Sequence, residues 1–162
     1  MNTVVRAWRA SFTRRWHNNP DLCDTVDPIS GHQQRVALLL MLIYPDCSKA
    51  LLAAAVTHDQ GEAGACDCSY DVKNARPELR DMLADLEAIE MQAQRIPQWQ
   101  LTDREARILK LCDWLDAWLW MRMHRPELET RPDWVRQRDL MIYTAQRLGL
   151  DAAWDVIHAK VR

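Results

Sequence analysis

Ser48-Lys49-Ala50-Leu51-Leu52-Ala53-Ala54-Ala55-Val56-Thr57-His58-Asp59 is the stretch on which the fold turns. From Ala50 to Val56 it holds no polar side chain, and it is made mostly of the two strongest helix formers, Ala and Leu. It is far too short to cross a bilayer, as is the longest apolar run around Val36–Tyr44. An all-round apolar helix has to be enclosed by other elements, so the spacing predicts a buried helix over 48–58. The flanking sequence supplies the covering helices. Upstream, Ser30 reads as an N-cap and a helix runs to Tyr44, stopped by Pro45. Before it, Val4, Val5, Trp8 and Phe12 stand at helical spacing over 3–17, and 18–29 is a polar loop with Pro20 and Pro28. Downstream, 60–76 has two glycines and no period, an irregular loop whose length points to function. Helices are predicted over 77–95, 102–124, 133–148 and 151–160, with Pro97, Pro126 and Pro132 at the breaks.

Composition agrees. Leu and Ala contribute 19 residues each, against 9 Val and 7 Ile, which leaves little material for a sheet. The 162 residues suffice for one domain with a sizeable core. The expectation is an all-α, single-domain helical bundle over 1–162. A formal charge of −2 gives no footprint for a nucleic-acid polymer, and no stretch predicts a membrane span. Arg6, Arg9, Arg14 and Arg15 are followed by no apolar segment of the secretory kind. Five cysteines without a framework spacing then point to a reducing cytosol. The eight tryptophans suit pockets and wet-edged interfaces. Trp114, Trp118 and Trp120 fall on both faces of one helix, one face for the core and one for a second subunit, which predicts a homo-oligomer.

The chemistry-bearing residues stand where a helical core would not choose them. His32 lies near the start of the second helix, His58 and Asp59 at the end of the apolar one, and Asp113 interrupts the stretch Ile108–Trp120. An unpaired polar group in such surroundings costs on the order of 2–7 kcal/mol. Two imidazoles and two carboxylates converging on one point would be satisfied by a divalent transition metal: Mn, Fe, Co, Ni or Zn. Glu62 follows Asp59 by three residues. If the helix continues another turn the two carboxylates share a face, one to bind metal and one to act as general acid or base.

The order His, His-Asp, Asp, each on its own predicted helix, resembles the HD-domain metal-dependent phosphohydrolases. It is most similar to the small bacterial 5′-deoxynucleotidases and the compact phage dATP triphosphohydrolases. The resemblance covers about Arg14 to Trp120. Arg15-Trp16 precedes the first histidine, and Gly31-His32-Gln33-Gln34-Arg35-Val36-Ala37 resembles the family's first ligand helix. His58-Asp59-Gln60-Gly61-Glu62, Asp67 and Val72-Lys73 reproduce its HDxxE…D…VK spacing, and Lys110-Leu111-Cys112-Asp113 its KxxD.

The resemblance implies that His32, His58, Asp59 and Asp113 ligate the metal and that Glu62 is the catalytic carboxylate. It implies that Asp67 reads the deoxyribose 3′-hydroxyl, that Arg15, Lys73 and Lys110 contact phosphate, and that Trp16 walls the sugar and base pocket. Only four lysines are present, and two fall on these phosphate positions. The implied reaction is attack of a metal-bound hydroxide on the α-phosphorus of a 2′-deoxynucleotide, with Mg²⁺ as a companion of the substrate phosphates. It would occur in the cytoplasm of a bacterial or phage-infected cell. The preferred substrate is a dNTP of the dATP type, releasing tripolyphosphate, with Arg76 and Arg80 extending the phosphate track; the alternative is a dNMP, releasing phosphate. Two departures stand out: Gly31 replaces the family's Glu before the first histidine, and Cys68, Ser69 and Asp71 replace its prolines after Asp67. The missing Glu leaves open a non-catalytic nucleotide sensor, and the Trp-rich helix, as a contact face, leaves open an all-α interaction module. Cys66-Asp67-Cys68 offers a zinc pair without a second pair at finger spacing.

Overall fold

Helices carry the chain between the predicted breaks in the computed structural model, which describes residues 2–65, 68 and 70–161. Among the described residues there is no strand, only an isolated antiparallel bridge between Arg14 and Pro28. The all-α expectation holds. The residues group into two compact units, one of Met1–Gln33 with Thr57–Gln98 and one of Gln34–Val56 with Trp99–Arg162.

In the first unit, α1 spans Thr3–Ala10, and the Asn2 side chain accepts from the N–H groups of Val4 and Val5. The helix stops seven residues before the predicted end. Residues 11–15 instead pair with 27–30: Arg15 N–H donates to Asp27 O at 2.9 Å, Ile29 N–H to Thr13 O at 2.9 Å and Ser30 N–H to Ser11 O at 3.1 Å. Pro28 explains this locally, because the residue before a proline is pushed to extended backbone, the conformation Asp27 needs to face Arg15. The last two of these bonds satisfy the first N–H groups of α2, Ile29–Ile43, which would otherwise be orphaned. Ser30 therefore lies in the first turn and is not the N-cap.

The apolar helix is also shorter than predicted: α3 spans Lys49–Ala55, with Ser48 Oγ accepting from Leu51 N–H at 3.0 Å. β-branched Val56 and Thr57 follow, and the chain turns, with Gln60 N–H on Thr57 O and Glu62 N–H on Asp59 O. His58 and Asp59 thus sit in a turn beyond the helix. The predicted irregular loop over 60–76 contains two short helices, α4 at Glu62–Ala65 and α5 at Tyr70–Ala75. Both pack on α6, Pro77–Ala93, which begins with proline in its first turn. The α4 approach requires glycine. A Cβ on Gly61 would stand 2.7 Å from Glu87 O, and one on Gly64 would stand 2.8 Å from Glu90 Cβ.

The second unit holds residues 34–43 of α2, α3, α7 (Asp103–His124), a 3₁₀ turn at Pro126–Thr130, α8 (Pro132–Leu148) and α9 (Asp151–His158). Thr102 and Glu105 form a reciprocal cap at the start of α7, and Gly149 ends α8 at φ 68°. Leu40, Leu51, Leu111, Leu115, Met121 and Met141 are fully buried, each stabilising the unit by about 1.5–3 kcal/mol. Trp118 is fully buried too, its indole N–H donating to Ile157 O at 3.2 Å. A charged pair sits in this core: Arg35 of α2 is bidentate on Asp116 of α7.

Candidate metal centre

The first turn of α2 and the turn after α3 bring His32, His58 and Asp59 together. His32 Nε2 is 3.2 Å from His58 Nε2 and 3.1 Å from Asp59 Oδ2, and His58 Nε2 is 3.4 Å from Asp59 Oδ1. The rings meet edge to face, with centroids 5.1 Å apart. One ligand atom from each of the three lies within 4.8 Å of the others. The His32 side chain is fully buried, while those of His58 and Asp59 keep 15% and 20% of their surface. The group is therefore open on one side. These separations match the fit a metal demands: bonds of about 2.1 Å place neighbouring ligand atoms about 3.0–3.4 Å apart. Two neutral imidazole nitrogens and one carboxylate oxygen suit a transition ion better than Ca²⁺ or Mg²⁺.

Buried amides fasten the turn that carries two of these residues. Gln60 Nε2 donates to Ser11 Oγ at 3.1 Å and to Gln33 Oε1 at 3.3 Å. Gln94 Nε2 donates to Gln60 O at 2.9 Å and to Glu90 Oε1 at 3.0 Å. Glu90 in turn accepts from Arg6 Nε and Nη2. That guanidinium holds the Glu90 carboxyl below the usual carboxylate range, against the opposing effect of burial. Gln33 and Gln60, next in sequence to His32 and Asp59, thus belong to a buried polar network of the first unit. Adjacency to a candidate ligand is the only sequence signal Gln33 and Gln60 give.

The other predicted site residues divide as follows. Glu62 opens α4 and is buried, at 9% exposure. A turn links it to Asp59 in place of a shared helical face. Asp113 lies on α7 in the second unit, where Lys110 Nζ reaches its Oδ2 at 2.7 Å and lies 5.8 Å from the Trp114 ring centroid. Next to it, burial, reinforced by the charge of Asp113, pushes the Cys112 thiol up to about 12. Lys73, on α5, pairs with Glu87 at 3.5 Å. Arg80 pairs with Asp81 on the exposed side of α6, and Arg76 is exposed. Asp67 and Cys66 lie outside the described residues.

Arg15 and Trp16 meet on Asp27, in the stretch 18–29 read from the sequence only as a polar loop. Asp27 is fully buried, and its Oδ2 accepts from Arg15 Nη1 at 3.3 Å and from Trp16 Nε1 at 3.1 Å. The Arg15 guanidinium lies 4.9 Å from the centre of the Trp16 ring. Trp16 has φ 66°. For a bulky side chain this left-handed backbone is an outlier costing on the order of 1–3 kcal/mol. Comparisons with family models, with curated proteins and with solved structures find no match.

Proposed function

We propose that the chain is a metal-dependent phosphohydrolase of 2′-deoxynucleotides. One observation carries the reading: His32, His58 and Asp59 converge at 3.1–3.4 Å, with His32 wholly buried and the group open on one side. When bound, a divalent transition ion would supply Lewis acidity toward water and phosphate oxygen. His32, His58 and Asp59 would hold it, with Asp113 as the fourth ligand. Glu62, fixed one turn beyond Asp59, would take the proton as the α-phosphorus is attacked and return it to the departing 5′-oxygen. Lys73 and Lys110 would exchange their present carboxylate partners for substrate phosphate, and Arg15 with Trp16 would orient the nucleotide. The preferred substrate is a dNTP and the alternative a dNMP. The reading also takes the chain to act in the cytosol as a homo-oligomer.

The test is a hydrolysis panel of dNMP and dNTP with Mn²⁺ or Co²⁺, preceded by elemental analysis of the purified protein. Bound metal with release of phosphate or tripolyphosphate is the expected result. Glu62→Ala should keep the metal and lose turnover, and Asp113→Ala should lose both. Stoichiometric metal with no hydrolysis of any substrate overturns the reading in favour of a nucleotide-binding sensor. Absence of metal affinity overturns it in favour of an interaction module.

A further inference from the structure

Asp27, in the first unit, accepts from two residues assigned to substrate at once. Its side chain has no surface of its own, so substrate cannot touch it directly. Among its bonds, the backbone oxygen accepts from Arg15 N–H at 2.9 Å, and Oδ2 accepts from Arg15 Nη1 and Trp16 Nε1. A buried charge is retained only where it is paired, and here the partners are a nine-tenths-buried guanidinium and an indole N–H. The same anchor explains the backbone of Trp16. A tryptophan in the left-handed region persists only where its surroundings over-determine it. The indole bond at its side chain, with Asn19 N–H donating to its carbonyl at 2.8 Å, supplies that determination.

We propose that Asp27 is a positioning residue for nucleotide binding: it locks the Arg15 guanidinium against the Trp16 ring, so that a cationic donor and a flat aromatic wall are presented as one rigid unit to a nucleotide's phosphate and sugar. The proposal rests on the phosphohydrolase reading. Its chemistry needs both halves. Removing Asp27 frees the indole to swing and leaves Arg15 without its buried counter-charge, so binding of the substrate suffers while proton transfer at Glu62 does not.

The experiment compares wild type, Asp27→Ala, Asp27→Asn and Arg15→Ala with the best dNMP or dNTP of the panel, and records the Trp16 indole N–H resonance of ¹⁵N-labelled protein, assigned with Trp16→Phe. Asp27→Ala should raise KM about tenfold and leave kcat within about threefold, the loss of a charge-assisted contact felt in binding alone. Asp27→Asn, which keeps an oxygen acceptor, should restore the indole resonance and most of the KM. In the Arg15→Ala background, Asp27→Ala should add less than about twofold, because the two act as one unit. If Asp27→Ala and Arg15→Ala multiply independently, if kcat falls with KM unchanged, or if the indole resonance does not respond to Asp27, the proposal is wrong while the phosphohydrolase reading stands. A wild type that hydrolyses none of the panel overturns both. If Asp27→Ala does not fold, Asp27→Asn decides: a KM and an indole resonance near wild type with Arg15 present, and a KM no higher than that of Arg15→Ala alone in that background, support positioning by the acceptor oxygen, and an equal rise in KM over each parent refutes it.

Discussion

Arg35 and Asp116 form an ion pair, buried at Asp116 and partly exposed at Arg35, whose two halves should fail unequally. Arg35 Nε and Nη2 donate to Asp116 Oδ1 and Oδ2 at 2.6 and 3.1 Å. The Asp116 side chain keeps 3% of its surface and that of Arg35 keeps 30%, while the guanidinium stacks 4.4 Å from the Trp120 ring centroid. Arg35→Ala removes the bidentate cation from a carboxylate with almost no access to water and should cost about 3–5 kcal/mol. Asp116→Ala strands a guanidinium that reaches solvent and keeps its aromatic face, so the loss should be nearer ~1–3 kcal/mol. Replacing both at once, Arg35→Met with Asp116→Leu, removes the stranded charge and should fall close to wild type. Urea unfolding followed by circular dichroism at pH 7 gives the midpoints, with the slope checked for constancy between variants. In a chain this size, each kcal/mol shifts Tm by roughly 2–4 °C, so Arg35→Ala should melt roughly 6–20 °C early. Asp116→Ala proving as damaging as Arg35→Ala would refute the argument from unequal solvent access. A double variant as unstable as the worse single one would show that the pair contributes by packing and not by charge.

Three further outcomes are expected. Glu90 is held below the usual carboxylate range by Arg6, so its contribution to stability is present above the unfolded value and lost as pH falls through the folded one. Arg6→Met should therefore lower the urea midpoint above roughly pH 5 and converge on wild type in stronger acid; a gap that persists at low pH would contradict it. Gly61→Ala forces a Cβ to 2.7 Å from the Glu87 backbone oxygen and should destabilise by about 1–3 kcal/mol in thermal melts; Gly149→Ala meets no neighbour within 4 Å but must hold φ 68°, so any loss there is one of backbone strain. Among the thiols, Cys23 is exposed and Cys112 fully buried. A disulfide reagent under native conditions should modify Cys23 within minutes and Cys112 only after urea is added, as read by peptide mass.

The helical architecture was legible because Leu, Ala and proline spacing act locally. The ends of α7, α8 and the start of α9 fall within a residue or two of the expectation. What failed was decided by pairing across the sequence. Residues 11–16 have nothing in their own composition that forbids helix; they leave it because Thr13 and Ser11 supply carbonyls to the first turn of α2. The short helices α4 and α5 lack apolar periodicity because they form against α6, through contacts that single-residue patterns do not encode. At the candidate site, His32, His58 and Asp59 announced themselves by residue type. Asp27 did not, since an aspartate in a polar loop looks solvated until its partner is known. Nor did Gln33 and Gln60, whose burial depends on packing and on the bond between them; in the second unit the burial of Asp116 against Arg35 was equally hidden.

The backbone ties between residues 11–15 and 27–30 have a consequence for variation. They close the intervening segment at its base, so the chain between Trp16 and Asp27 hangs from a fixed stem, as a loop hangs from a hairpin. Doubling such a segment adds only about 0.6 kcal/mol of closure entropy. Exposed positions such as Cys23, Asp24 and Val26 can therefore vary, and residues can be added beside them, while buried Leu22 and Thr25 and the stem keep Arg15, Trp16 and His32 in register. On the proposed reading, those exposed positions are where a lineage of such chains could try new ligand preferences without re-evolving the residues around His32.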